Sequence, residues 1–477
     1  MMHTQPFIFA DYLRRFIRLW EKAGNFLIAM FTPSWRWMTL LTGQFFLFQA
    51  ITIVSPGEGA LLRWQGPAGI LFAIAAFALL WVASHNQLPK GVQVIYEKIS
   101  HTLWYRLIQI VWIMAFFITA TNFAAPQITD AVTGNYRVDA IAFIHMDIDL
   151  ILHGVNPYTD NAAFWQALQR WPGETPTPVL GAHAFGANPL NYPSIAAREV
   201  VIHQVFSSGE KTTTAFDPRT VHNYPAGILL LGAPFIWAGM PSLLWLNLLA
   251  FAILIFLLLR RALPEQRPSM LTAALLNPAI WNYTIFVNYD VIVILCIAAA
   301  WFFSPNRRAS AIMMGLACSI KQLAWFFAPF YFIAIYKKDG WKAAIAGGVW
   351  MFAVFFAVNL PFIILSPVAW FQSVLVPATD SFYPIGFGPI SLALSRDIPF
   401  GPHILWSGME FGVWVGLIAW AWFRPVNRND LPLIAPLALW FGWRSPMNYF
   451  AFQPIFAAHT TAEKERAELL AANSEEP

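Results

Sequence analysis

Long apolar blocks separated by short polar ones run almost the whole length of this chain. The first three, at 38–54, 67–84 and 107–125, approach the ~20 residues that cross a bilayer as a helix. Backbone N–H and C=O groups find no water in lipid, so such blocks are expected to be helical. Lys90, Lys98 and Arg106 lie between the second and third blocks. Basic residues gather on the cytoplasmic side, which puts 85–106 inside, 55–66 outside, and residues 126–224 on the outer face.

Arg260-Arg261, Arg307-Arg308, Lys337-Lys338 and the stretch 424–428 mark further inner turns. Between them, 268–303, 310–336 and 431–458 are each interrupted by polar residues, at 282–290, at Lys321-Gln322 and at 444–448. Hairpins of two short helices account for this pattern and bring every interruption to the outer face. The alternative for Lys321 is one continuous helix with a charge near its centre. That costs about 2.5–3.5 kcal/mol unless the group is paired. Either way Lys321 calls for a partner, and an anionic ligand is one.

Residues 342–366 and 402–423 read as single spans around an outer loop at 367–401. The stretch 225–259 is either two spans or one span preceded by a re-entrant piece kinked at Pro234. The expected fold is an all-α polytopic membrane protein of about 11–13 transmembrane helices, with short amphipathic helices in a long first extracytoplasmic loop. Three sections are expected: an amphipathic segment and extra hairpin over 1–105, the main transmembrane module over 106–460, and a charged cytoplasmic tail over 461–477.

Composition agrees with this pattern. Charged residues make up 11% of the 477 residues, hydrophobic ones 58%, and mean hydropathy is +0.54; soluble domains carry about 25% charged residues. A net charge of +4 does not indicate nucleic acid, because the basic residues sit in small clusters at the ends of apolar blocks. Cys296 and Cys318, the only cysteines, lie in apolar segments, which excludes a disulfide framework and argues against a cysteine metal site. Arg14, Arg15, Arg18 and Lys22 mark an amphipathic stretch expected on the cytoplasmic membrane surface. No cleaved signal peptide is read there.

Polar chemistry collects in the loop 126–224, which holds nine acidic residues, five basic ones and five of the ten histidines. A loop this long is usually functional. Its start, 139–153, has the spacing of a short helix ended by Gly154, and Asn156-Pro157 forces an extended or turned backbone. At 100° per residue Asp147 lies about 80° to one side of Asp139 and Asp149 about 80° to the other. The plain alternative is a solvated amphipathic helix whose carboxylates keep it out of the bilayer. Histidines 145, 153, 183, 203 and 222 lack the spacing of a zinc site, so no metal ligands are assigned.

These residues carry a resemblance. Asp139, fifteen positions before Gly154, and Asp147, seven before it, precede a run Gly154-Val155-Asn156-Pro157-Tyr158. Farther on come Tyr224-Pro225, Asn288-Tyr289-Asp290, and Lys321-Gln322 ahead of Pro329. The set resembles the GT-C superfamily of polyprenyl-phosphate-sugar-dependent membrane glycosyltransferases, in its bacterial mannosyltransferase-like branch. The likeness spans residues 139–336 and weakens around 444–449. Ala140 replaces an adjacent acid and Ala226 a second proline.

The resemblance implies a GT-C-like bundle in a bacterial cytoplasmic membrane with its site on the extracytoplasmic face. It implies transfer of a sugar, mannose by preference, from a polyprenyl-phosphate donor to a lipid or glycan acceptor, without a metal cofactor. A carboxylate close to an acceptor hydroxyl takes its proton, and a cation stabilises the departing lipid phosphate. Asp139 and Asp147 are then the catalytic candidates. Asp149, Asn156, Tyr158, His222, Tyr224, Asn288, Asp290, Lys321, Gln322 and Arg444 are the candidates for binding substrate.

Several candidates also have structural readings. Tyr158 fits a packing anchor, Asn288 and Asp290 a capping pair, Arg444 a snorkelling or inter-helix pair, and His222 a helix-entrance cap. Two rival functions remain. A transporter would line a midplane cavity between similar halves with its polar breaks, and a structural assembly factor would leave the carboxylates unclustered.

Overall fold

A computed structural model describes residues 33–55, 61–85, 102–171, 220–282, 288–303, 306–379, 384–399 and 401–475, with scattered positions between. Most of the N-terminal amphipathic stretch, residues 172–193, and His183 and His203 lie outside the described residues. The chain is an all-α polytopic membrane protein. Five described helices are long and apolar enough to cross a membrane: Gln65–His85 (α2), Leu103–Thr133 (α3), Leu244–Arg261 (α7), Trp341–Leu365 (α12) and His403–Phe423 (α15). Trp35–Ile53 (α1) pairs with α2 as the expected first hairpin.

The start of α3 is fixed by Thr102, whose hydroxyl accepts the Tyr105 N–H at 3.3 Å. Its far end is closed by Gly134 at φ +74°, in the left-handed region that favours glycine. Asp130 in the last turn takes Arg137 Nε at 2.5 Å, and the chain turns into Asp139–Leu152 (α4). A Schellman-type end at Gly154 (φ +78°), with Val155 N–H bonded to the Leu150 carbonyl at 2.9 Å, closes α4 as its sequence anticipates. Ala162–Arg170 (α5) then packs back on it.

The stretch 225–259 resolves into a short helix with Pro234 inside, Gly227–Trp237 (α6), followed by the span α7. Gly227 permits the critical approach here: a side chain would stand 2.6 Å from the Ser319 carbonyl. That draws Tyr224-Pro225 down onto the Lys321 region. Arg267–Leu275 (α8) leads toward the first interruption, part of which (283–287) lies outside the described residues. Asp290–Ala298 (α9) follows and continues as a π-helical stretch, Ala299–Phe303.

At the second interruption Arg307–Ile320 (α10) and Leu323–Asp339 (α11) are separated by Lys321, whose backbone is extended (φ −154°, ψ 145°). The hairpin expected from sequence is therefore present. The loop 367–401 is more structured than a simple connector, with Pro367–Thr379 (α13), Ile385–Gly386 (β1) and Ile390–Leu394 (α14).

The last interruption is the least regular. Leu431–Ile434 (α16) runs into a 3₁₀ stretch, and Arg444–Ser445 (β2) pairs in parallel with β1, Ile385 opposite Arg444. Gln453–Glu475 (α17) is the last described helix. The residues read as a tail continue this helix to Glu475, and Glu465 and Glu468 bond to Trp37 Nε1 (3.0 Å) and Arg36 Nη2 (2.8 Å) of α1. The reason is the buried Arg36, whose charge needs a partner at that end of the bundle.

Candidate functional site

The interruptions converge on one cavity of about 630 Å³, walled on one side by α4. Lys321 Nζ donates to Asp290 Oδ1 at 2.5 Å, and Asn448 Nδ2 bonds the other Asp290 oxygen. One residue from each of three interruptions thus meets in a single buried knot, with the ammonium 5.1–5.5 Å from the ring centres of Tyr224, Tyr289 and Tyr449. Removing a Lys from water costs several kcal/mol, and a carboxylate plus three aromatic faces offset it.

The opposite wall is α4. Residues 138–140, 143, 144 and 147 line the cavity, the single face expected of a helix whose neighbours recur every three to four positions. Asp139 occupies the first position of α4, where the N-terminal end of the helix dipole favours a carboxylate. Asp147, two turns on, is 4% exposed and accepts from His222 Nδ1 at 2.7 Å. Burial pushes the Asp147 carboxyl above the usual carboxylate range, and His222 opposes that shift. His222 Nε2 is buried with no hydrogen-bond partner among the described residues.

The Gly154–Tyr158 run acts as scaffold. The Pro157 carbonyl accepts the His222 backbone N–H at 3.0 Å, and the Tyr158 hydroxyl donates to the Tyr224 carbonyl at 2.7 Å. Asn156 Oδ1 accepts the Tyr158 N–H, and its Nδ2 donates to Ser366 Oγ. These bonds hold 222–224 against the cavity, and Gln322 Nε2 completes the support by donating to the Asn223 and Val374 carbonyls at 2.8 Å each.

Of the residues singled out from sequence, Asp139, Asp147, His222, Tyr224, Asn288, Lys321, Gln322 and Arg444 line the cavity. Tyr158 does not: it is fully buried among His222, Phe362 and Trp370 and is a packing anchor. Asn156 is likewise a turn residue. Asp290 lies beneath Lys321 rather than on the wall. Asp149 departs furthest from expectation, because it lies outside the cavity with its side chain 45% exposed beside His153. Its 160° separation from Asp147 around the helix leaves no room for both on one face.

Among the cavity residues that sequence reasoning missed are His403, Ser407 and Glu410 on α15, and Trp443. A glutamate inside an otherwise apolar span was the available signal. Among the described residues no group of three His, Cys, Asp or Glu is placed to hold a metal ion. The cavity's remaining wall is apolar, with Phe326 and Leu323 of α11, Leu375 of α13 and Trp414 of α15.

Residues 222–443 match the family model Glycosyltransferase family 87. The protein is a glycosyltransferase. Neither a curated protein nor a solved structure matches it. The matched region begins at His222 and includes Lys321, Glu410 and Trp443. It leaves α4, with Asp139 and Asp147, and Arg444 outside. Carboxylates upstream of the match thus face matched residues across the cavity.

Proposed function

We propose that this glycosyltransferase is of the GT-C type and transfers a sugar, mannose by preference, from a polyprenyl-phosphate donor to a lipid or glycan acceptor. The carrying observation is the cavity's composition: carboxylates on α4, cations at the interruptions opposite, and an apolar flank between α11, α13 and α15. A donor with a polar sugar-phosphate head and a hydrocarbon tail needs all three. Ligand sites of about 300–1,000 Å³ are usual for small molecules, and the tail would extend past Phe326 and Trp414 into the bilayer.

In this scheme Asp139 takes the proton of the acceptor hydroxyl as its oxygen attacks the sugar C1. The C1–O bond to the phosphate breaks with inversion, and the lipid phosphate leaves with the electron pair. Arg444, presented by β2, stabilises its charge. Lys321 is already balanced by Asp290, so its role is to hold the phosphate side of the cavity in place. The scheme uses no metal. The site would lie on the extracytoplasmic face of a bacterial cytoplasmic membrane, as the distribution of Lys and Arg suggests.

The transporter alternative needs polar breaks between two similar halves; here three breaks knot together at one place below a single helix, which favours the enzyme. The test is transfer by purified protein from polyprenyl-phosphate mannose, glucose or arabinose to an envelope lipid extract. Mannose transfer with an inverted anomeric centre is expected, and no transfer from any donor would overturn the proposal.

A further inference from the structure

Besides Asp147, which His222 holds, the cavity lining includes a second carboxylate that the scheme above leaves unused. Glu410 is the only acidic residue of α15 and lines the cavity. It makes no hydrogen bond or ion pair with any described residue. A carboxylate in an apolar span is costly to insert, and neither a cation nor a helix end offsets that here. Its position is nevertheless defined: Oε2 lies against Gly442, where an added methyl group would stand 2.5 Å away.

Its neighbours on the helix are polar too. Ser407 and His403, three and seven residues earlier, share its face, and the Ser407 hydroxyl is 3.4 Å from His403 Nε2. The His403 ring meets Trp443 edge-on at 5.0 Å. All four residues line the same cavity, so α15 carries a polar stripe with an indole beside it, before the apolar Phe411 and Trp414 begin.

A cavity carboxylate that lacks protein donors is open to donors from a ligand. In a glycosyltransferase the abundant donors are hydroxyls, and two carboxylate oxygens match two adjacent hydroxyls of a pyranose ring. The indole suits the ring's C–H surface. We propose that Glu410, with Ser407 and His403, forms a sugar subsite in which its carboxylate accepts from two vicinal hydroxyls of a hexopyranose. This rests on the glycosyltransferase reading and deepens it, since it names a specificity-determining residue distinct from Asp139 and Arg444. The hexopyranose is either the donor's sugar or a sugar of the acceptor.

Binding to full-length protein in nanodiscs distinguishes the sources. The probes are polyprenyl-phosphate mannose, the sugar-free polyprenyl phosphate, and methyl α-mannopyranoside. Glu410→Gln is expected to weaken one mannose-bearing probe roughly 10- to 100-fold, the range for hydrogen bonds to a charged group. Binding of polyprenyl phosphate should stay within twofold. Loss with the lipid-linked mannose assigns the subsite to the donor; loss with the glycoside alone assigns it to the acceptor.

Gly442→Ala moves the carboxylate while keeping its charge, and a smaller loss with the same probe is expected, which controls for misfolding. Unchanged binding of both mannose probes in Glu410→Gln overturns the proposal, as does a wild-type protein that binds neither. Wild-type binding of the glycoside without either polyprenyl lipid would sink the donor assignment of the preceding subsection while leaving Glu410 to be judged on the glycoside.

Discussion

Two buried pairs, a carboxylate with an ammonium and a carboxylate with an imidazole, flank the cavity, and they are built for different work. Asp290–Lys321 joins groups from two helix breaks, is tied to a third by Asn448, and is ringed by tyrosines. Asp147–His222 joins a helix of the long loop to the entrance of α6 and leaves one imidazole nitrogen without a partner. In the first pair both carboxylate oxygens and the ammonium have partners, as a structural fastening requires. The second retains an unused polar atom on a residue that lines the same cavity as the proposed base, which suits a group that positions chemistry. Burial alone does not separate them, since all four residues are at most 4% exposed; what separates them is how completely each is satisfied.

The largest expected effect sharpens the comparison from outside both pairs. Asp139→Asn should lower turnover roughly 10²- to 10⁴-fold with the thermal unfolding midpoint unchanged, measured by transfer from polyprenyl-phosphate mannose. Turnover at the wild-type level would remove Asp139 as the base and shift attention to Asp147 with His222.

Breaking the structural pair should act on stability first. Asp290→Ala leaves the Lys321 ammonium buried and unbalanced, and a loss of about 3–5 kcal/mol is expected in denaturant unfolding. The double variant Asp290→Leu with Lys321→Met should recover most of that loss. If it recovers turnover as well, Lys321 has no part in holding the phosphate side.

The second pair should show the reverse balance. His222→Gln keeps a donor for Asp147, so a stability change of only about 1 kcal/mol is expected, with turnover reduced about tenfold or more through misplacement. A stability loss as large as that of Asp290→Ala would erase the distinction between the pairs.

The smallest effect concerns pH. His145, on the far side of α4, shares a hydrogen bond of 2.8 Å between its Nδ1 and the Tyr136 hydroxyl. Burial pulls its pKa from 6.5 down to about 4, with Arg170 adding to the shift and Asp149 opposing it. The neutral imidazole therefore belongs to the folded state. Its contribution is whole above pH 6.5 and is lost as pH falls through about 4. A loss of about 1 kcal/mol is expected by roughly pH 5.5, and His145→Phe should flatten that slope in thermal unfolding.

Much of the site was legible in the sequence because membrane chains advertise their polar residues. Lys321, the 444–448 interruption and the acidic helix stand out against apolar surroundings, and each lies on or under the cavity. Asn156 and Tyr158 were legible as a pattern yet serve as scaffold, because a Pro-Tyr turn that must hold another loop needs the same rigid residues as one that binds a ligand. Glu410 went unread, since one carboxylate in a span of 21 residues leaves no spacing to interpret.

The sequence by itself determined the class of the protein, the places of its long helices though not the end of α3, which runs to Thr133 rather than 125, and the closing of α4 at Gly154. These follow from hydropathy over ~20 residues and from local backbone preferences, which act within a few turns of chain. It also set the angles among Asp139, Asp147 and Asp149. Only the tertiary structure decided which way that helix is rolled, so that Asp139 and Asp147 face the cavity and Asp149 does not. Only it brought Asp290, Lys321 and Asn448 into one knot, and Glu410 into the cavity. Those outcomes depend on contacts between segments up to 158 residues apart, and periodicity carries no information about such contacts.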